Sequence, residues 1–128
     1  MRLLLDTHAF LWWVADSPAL SKRARRAIAA ADNECLVSAA SCWEMAIKVS
    51  IGKLELPGTV ERFVPHHMMV NGFHELPVEM RHAAGVARLP FHHRDPFDRL
   101  LVSQALTEDL PIVSADASFG KYGITRIW

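Results

Sequence analysis

Short apolar runs alternate with segments of helical periodicity along the 128-residue chain. The pattern predicts strands at residues 2–5, 34–38, 72–76, 111–114 and 124–127. It predicts helices at residues 7–15, 21–31, 39–50, 60–70 and 95–109, with an interruption of the fourth at Pro65. A further helical face is predicted from the spacing of Met80, Ala83, Ala84 and Ala87. Strands and helices in this order indicate a doubly wound α/β fold.

Capping residues support several of these boundaries. Ser21 precedes a helical segment and is suited to accept a hydrogen bond from its free N–H groups. Asp95 followed by Pro96 is a typical helix start, with the aspartate at the N-cap and proline at the first helical position. We therefore expect Asp95 to have a structural role.

Four acidic residues are predicted to meet at one edge of the sheet. Asp6 and Asp116 follow the first and fourth predicted strands, and Asp98 lies in the first turn of a helix. Glu44 lies in the helix after the second strand, among apolar neighbours. Ligands of open α/β sheets bind outside the carboxyl ends of the strands. Converging carboxylates repel one another unless they bind protons or a cation, so the pattern indicates a divalent-metal site.

Each of these acids also has a purely structural interpretation. Asp6 and Asp116 are suited to cap the helices that follow them. Glu44 is suited to pair with Lys48 one turn later, a contact worth about 0.2–0.5 kcal/mol on a helix surface. None of these interpretations explains why all the candidates fall at one predicted edge.

Composition limits the classes of partner and compartment. Hydrophobic residues make up 51% of the chain, which suffices for one folded domain covering residues 1–128. Lys plus Arg and Asp plus Glu each number 14, so the net charge provides no general attraction to nucleic acid or to a membrane. Cys35 and Cys42 lack the spacing of a disulfide scaffold or a zinc ribbon. We expect a soluble cytoplasmic protein with reduced thiols and no membrane association.

Cationic and histidine-rich segments are the remaining candidates for chemistry. The densest basic cluster spans residues 22–26 and is either a nucleic-acid contact or a solvated helix face. His92, His93, Arg94 and Arg99 lie close to Asp98 in sequence, and Arg99 is the preferred candidate for a phosphate contact. The adjacent pairs His66–His67 and His92–His93 are poorly arranged for one zinc ion, since neighbouring side chains point in different directions.

Four strings carry a family resemblance. They are LLLDTH at residues 3–8, SAASCWEMAIK at 38–48, DPFDRLL at 95–101 and VSAD at 113–116. Together they resemble the VapC-type toxins of the PIN-domain ribonuclease family, in order and across nearly the whole chain. The resemblance implies a single PIN-like domain, an α/β/α sandwich with a mainly parallel central sheet of four to five strands.

The resemblance also implies a function. It places the catalytic, metal-binding acids at Asp6, Glu44, Asp98 and Asp116, with Thr7 and Ser114 as supporting hydroxyls. Mg²⁺ or Mn²⁺ is the implied cofactor, and RNA, such as tRNA or another structured RNA, is the implied substrate of an endoribonuclease toxin. A cognate VapB-like antitoxin and a homodimer are the implied partners. The alternative is a noncatalytic PIN-like module that binds RNA or protein. A receiver domain or an Asp-x-Asp phosphatase is disfavoured, because Asp6 has no second acid beside it.

Overall fold

A parallel sheet of five strands lies at the centre of the computed structural model, which describes residues 1–128. The strands are β1 (Arg2–Leu5), β2 (Glu34–Ser38), β3 (His74–Leu76), β4 (Ile112–Val113) and β5 (Arg126–Ile127). They lie in the order β3-β2-β1-β4-β5, and every neighbouring pair is parallel. The predicted doubly wound α/β fold with a parallel sheet of four to five strands is confirmed.

Six α-helices connect and cover the strands. They are α1 (Thr7–Val14), α2 (Lys22–Ala29), α3 (Ala39–Ser50), α4 (Val60–Asn71), α5 (Met80–Gly85) and α6 (Pro96–Glu108). Two short 3-10 helices, Val86–Arg88 and Ala117–Tyr122, complete the chain. None of the helices combines the length and the apolar character needed to span a lipid bilayer.

Alternating side chains of the strands divide the core between the two faces of the sheet. Leu3 and Leu5 belong to one buried cluster, together with residues of α1 to α4. Leu4 belongs to a second cluster with Leu101 and Val102 of α6. Successive side chains of a strand point to opposite faces, so a sheet covered on both sides needs an unbroken apolar run. The predicted α/β/α layering follows from this arrangement.

Helix α4 contradicts the predicted interruption at Pro65, because it continues through the proline. Proline lacks an N–H group, which deprives only the carbonyl four residues earlier, that of Glu61, of its helical partner. Both Pro65 and Glu61 are exposed, so water can satisfy that carbonyl.

Helix α5 buries a different face from the one predicted. Met80, Ala83 and Ala84 are exposed, whereas His82 and Gly85 are buried. The His82 Nε2 atom lies 2.9 Å from Glu108 Oε1, and the Ser103 hydroxyl donates to the His82 carbonyl at 2.6 Å. Polar contacts with α6 therefore fix the orientation of this short helix, and its small apolar residues face solvent.

Candidate metal centre

One cavity of about 240 Å³ brings together all four predicted acids. Asp6 follows β1 directly and Asp116 lies just beyond β4, and these strands are neighbours in the sheet. Strands β2 and β3 are added on one side of β1, and β4 and β5 on the other. The connections therefore diverge next to β1, which opens a crevice between the loops at the carboxyl ends of β1 and β4. Helices α3 and α6 contribute Glu44 and Asp98 to the same crevice.

Asp6 combines helix capping with a position in the cavity. Its Oδ1 atom accepts a hydrogen bond from the Ala9 N–H at 2.8 Å, as the capping interpretation predicted. The residue is only 8% exposed, and burial raises the pKa of its carboxyl group. The nearby Ser114 hydroxyl and the Ala9 N–H oppose that rise in pKa, and the negative charge of Glu44 adds to it. Capping and cation binding are compatible, since a carboxylate has two oxygens.

Glu44 is buried and has two polar partners. Its Oε1 atom accepts a hydrogen bond from the Thr7 hydroxyl at 2.7 Å, and its Oε2 atom lies 2.5 Å from the Lys48 ammonium. Thr7 Oγ1 also lies 3.0 Å from the Ser41 hydroxyl oxygen. The pairing with Lys48 predicted as a structural alternative is therefore present. Because Glu44 is only 6% exposed, this pair differs from a solvated surface ion pair.

Asp98 is half-buried at the start of α6, beside a second aspartate. Asp95 caps this helix, and its Oδ1 atom accepts from the N–H groups of Phe97 at 2.8 Å and Asp98 at 3.1 Å, which confirms its predicted structural role. Burial and the charge of Asp95 raise the pKa of Asp98 to about 6, although His93 lowers it in part. The charges of Glu44 and Asp6 contribute to the same rise in pKa.

Asp116 lies in a more polar environment than the other acids. Its Oδ1 atom accepts from the Ser118 N–H at 2.9 Å, and its Oδ2 atom lies 2.6 Å from His93 Nε2. Burial raises the pKa of Asp116, but the hydrogen bonds from His93 and Ser118 outweigh burial and lower the pKa overall. The pKa of Asp116 is thus shifted in the opposite direction from those of Asp6 and Asp98.

The supporting residues fall into two groups. Thr7 lines the cavity, and the buried Ser114 hydroxyl accepts from the Asp116 N–H at 3.0 Å. Arg99 is buried and does not line the cavity. Its guanidinium donates to the backbone carbonyls of Val86, Leu89, Pro90 and His93 at 3.0–3.3 Å. Both terminal nitrogens of the Arg99 guanidinium are therefore used within the fold, and the structure does not bring Arg99 together with the four acids.

The donor set of the cavity fits a hard divalent cation. Burial, with smaller contributions from neighbouring negative charges, raises the pKa values of Asp6 and Asp98, and a bound cation would favour their ionised forms. Ligand atoms of Asp98, Asp116 and His93 all lie within 4.8 Å of one another. Carboxylate oxygens suit Mg²⁺ and Mn²⁺, and one imidazole in this group of three falls short of the nitrogen and sulfur set that zinc prefers.

Comparison with protein families decides the classification. The family model described as PIN domain matches residues 3–124. The chain belongs to the PIN-domain family. The predicted resemblance to this family is confirmed, whereas a comparison with curated proteins gives no match.

Solved structures share the fold of this PIN domain at low sequence identity. The VapBC2 complex of Rickettsia felis, solved with a promoter DNA fragment, gives a TM-score of 0.71 at 14% identity, covering 98% of this chain and 97% of that one. FitAcB of Neisseria gonorrhoeae gives 0.65 at 18%, covering 98% and 96%. VapBC-1 of nontypeable Haemophilus influenzae gives 0.63 at 12%, covering 98% and 96%.

The sequence did not assign His8 or His93 of this PIN domain to the site. His8 lines the cavity two residues after Asp6, as does Lys48, whose pairing with Glu44 was predicted. His93 was predicted only as a possible phosphate contact, but it contacts Asp116 directly. The spacing of Asp6 and His8 is visible in the sequence, whereas the contact of His93 depends on how the loop before α6 folds back.

Proposed function

We propose that this PIN domain is a divalent-metal-dependent endoribonuclease and the toxin of a toxin–antitoxin module. Asp6, Glu44, Asp98 and Asp116 are its proposed catalytic and metal-binding residues. The observation that carries the proposal is their convergence in one cavity from four separate segments of the chain. A fold alone has no need of four acids in one crevice, since their mutual repulsion raises the free energy of the folded state.

The proposed site divides its work between the acids. Asp98 and Asp116 have ligand atoms within 4.8 Å of each other and are the best placed to share Mg²⁺ or Mn²⁺. Asp6, directly after β1, adds a further negative charge that attracts the cation. Glu44 is held by Thr7 and Lys48, and it positions the attacking water or a second ion. A bound cation would polarise the scissile phosphate and stabilise the leaving oxygen.

The proposed substrate is RNA, with tRNA or another structured RNA as the first candidates. The net charge of zero requires that phosphate contacts be local. Lys48 and His8 are the nearest such groups, because both line the acidic cavity. In the basic cluster at residues 22–26, Arg25 is already paired with Asp16 at 2.7 Å, which leaves Lys22, Arg23 and Arg26 for contacts with a partner.

A VapB-like antitoxin and a second copy of the chain are the proposed protein partners, in the cytoplasm. Two apolar grooves of about 380 and 440 Å³ support this proposal. One lies between α3 and α4 and includes Val64 and Met68, and the other includes Trp12 and Phe63. Apolar grooves of this size typically accept apolar side chains of a partner.

The decisive experiment measures RNA cleavage by purified protein with Mg²⁺, with Mn²⁺ and with a chelator. Variants Asp6→Asn and Asp98→Asn remove proposed ligands while preserving side-chain shape. Asp109→Asn is the matched control, because Asp109 lies at the other end of α6 and outside the cavity. We expect metal-dependent cleavage by the wild type and the control, with a large loss in both site variants.

Two results would refute the proposal. A folded wild-type protein that cuts no RNA, structured tRNA included, would favour the noncatalytic binding module. Equal cleavage by the wild type and both site variants would place the activity elsewhere, for example in a contaminating nuclease.

A further inference from the structure

The loop before α6 brings His93 beside Asp116, one of the acids that line the cavity, and the imidazole bridges Asp116 and Tyr122. We propose that His93 is a positioning residue: it fixes the carboxylate of Asp116 for the divalent cation, and Tyr122 fixes the orientation of His93. This inference rests on the proposed metal site and extends it to two residues that the family strings do not include.

Hydrogen-bond chemistry assigns a direction to the chain of contacts. An ionised carboxylate only accepts, so the His93 Nε2 atom, 2.6 Å from Asp116 Oδ2, must carry the proton. The other ring nitrogen, Nδ1, lies 3.0 Å from the Tyr122 hydroxyl oxygen. In neutral imidazole, Nδ1 then accepts a hydrogen bond from the Tyr122 hydroxyl group. The Tyr122 hydroxyl thus favours the tautomer that donates to Asp116.

Packing holds the imidazole in this position. The rings of His93 and Tyr122 are stacked, with an interplanar angle of 4° and centroids 5.6 Å apart. The Phe119 ring lies 4.8 Å away on a tilted approach, and the His93 side chain is only 8% exposed. The buried guanidinium of Arg99 donates to the His93 carbonyl at 3.3 Å. Both the ring and the backbone of His93 are therefore fixed.

The consequence for Asp116 is a carboxylate with restricted rotation. Its Oδ1 atom accepts from the Ser118 N–H and its Oδ2 atom accepts from His93. Each oxygen has a second lone pair, so both remain able to face a cation. Groups that hold ligand carboxylates by hydrogen bonds change metal affinity by about 10- to 100-fold when they are removed.

Two other roles for His93 are distinguishable from positioning. A purely structural residue would stabilise the loop without changing metal affinity in the folded protein. A direct ligand would need an imidazole nitrogen lone pair aimed at the cation, whereas the donor to Asp116 needs an N–H group at Nε2. The variant His93→Gln tests the donor role, since its side-chain amide extends about as far as Nε2 and carries an N–H group that can donate to Asp116.

The test is Mn²⁺ binding to the purified protein, measured by calorimetry after circular dichroism has established folding. The set comprises wild type, His93→Ala, His93→Gln and Tyr122→Phe, with His92→Ala as the matched control. His92 is exposed and contacts the Tyr122 ring edge-on, but it forms no hydrogen bond with Asp116. We expect His93→Ala to weaken Mn²⁺ binding about 10- to 100-fold. His93→Gln and His92→Ala should stay close to the wild type, and Tyr122→Phe should show a smaller loss.

Unchanged Mn²⁺ affinity in His93→Ala would overturn the inference, as would a His93→Gln variant as weak as His93→Ala. If His93→Ala does not fold, Tyr122→Phe decides, with unchanged affinity overturning the inference and reduced affinity supporting it. A wild type that binds Mn²⁺ but cuts no RNA would refute the ribonuclease proposal alone. A wild type without Mn²⁺ affinity would overturn both.

Discussion

Replacing Asp98 with Asn should make the metal-free protein more stable while destroying its affinity for the cation. Burial and the charge of Asp95 raise the pKa of Asp98 from 3.8 to about 6. A raised carboxyl pKa means that the folded state disfavours the ionised form. Its free-energy cost is absent below pH 3.8, grows with pH and is complete above about pH 6. Asparagine removes the charge and therefore removes the cost.

The magnitude follows from the size of the pKa difference. About two pKa units correspond to about 3 kcal/mol for a fully buried group. Asp98 is half-buried, so solvent screening reduces this figure to about 1–2 kcal/mol. Asparagine also loses the attraction between a negative charge and the N-terminus of α6, worth about 0.3–1 kcal/mol. The net gain in the free energy of unfolding should be about 1 kcal/mol.

Urea denaturation in the presence of a chelator tests this reasoning. The gain of Asp98→Asn over the wild type should be present at about pH 7.5 and should shrink towards about pH 4, where the wild-type carboxyl group is protonated in the folded state. Added Mn²⁺ should stabilise the wild type but not the variant, since only the wild type retains the ligand. A variant less stable than the wild type in chelator at about pH 7.5 would refute the electrostatic account of the cavity.

Three further substitutions test one contact inside the site and two contacts elsewhere in the fold. Thr7→Val removes the hydroxyl that donates to the buried Glu44 and should cost about 1–3 kcal/mol of unfolding free energy in urea denaturation; an unchanged value would contradict the contact. In Arg99→Lys, the lysine ammonium cannot satisfy the four carbonyls to which the guanidinium donates. The unfolding free energy should fall by about 2 kcal/mol or more. If Arg99 instead contacts phosphate, stability should stay unchanged and RNA binding should weaken. Gly85→Ala places a methyl group 2.6 Å from the Ser103 hydroxyl oxygen. It should lower the unfolding free energy, measured by thermal denaturation, by about 1–3 kcal/mol. The double variant Gly85→Ala with Ser103→Ala should recover part of this loss.

The short helix α5 shows where pattern-based prediction fails. Periodicity selected the apolar face of Met80, Ala83 and Ala84, yet Met80 is 90% exposed. The buried face contains His82, which is 0% exposed and hydrogen-bonded to Glu108. A helix of six residues buries too little apolar surface for its pattern to dominate, so polar contacts with α6 determine its orientation.

Arg99 shows a second case in which the local sequence does not predict the direction of a side chain. Its place in sequence beside Asp98 suggested a phosphate contact, but adjacent residues of a helix point about 100° apart. Asp98 therefore faces the cavity, while Arg99 extends towards the carbonyls of residues 86–93. Which side of α6 faces the cavity depends on packing against the sheet and was not visible in the local sequence.

The sequence by itself determined the order of the elements, the helix starts at Ser21 and Asp95, and the four acids at one edge of a parallel sheet. These features depend on local preferences and on the rule that parallel strands end at a common edge. Only the tertiary structure decided that Thr7 donates a hydrogen bond to Glu44 and that His93 contacts Asp116. The contact of His93 with Asp116 joins residues 23 positions apart, and such contacts depend on how loops pack against the completed sheet rather than on local preference.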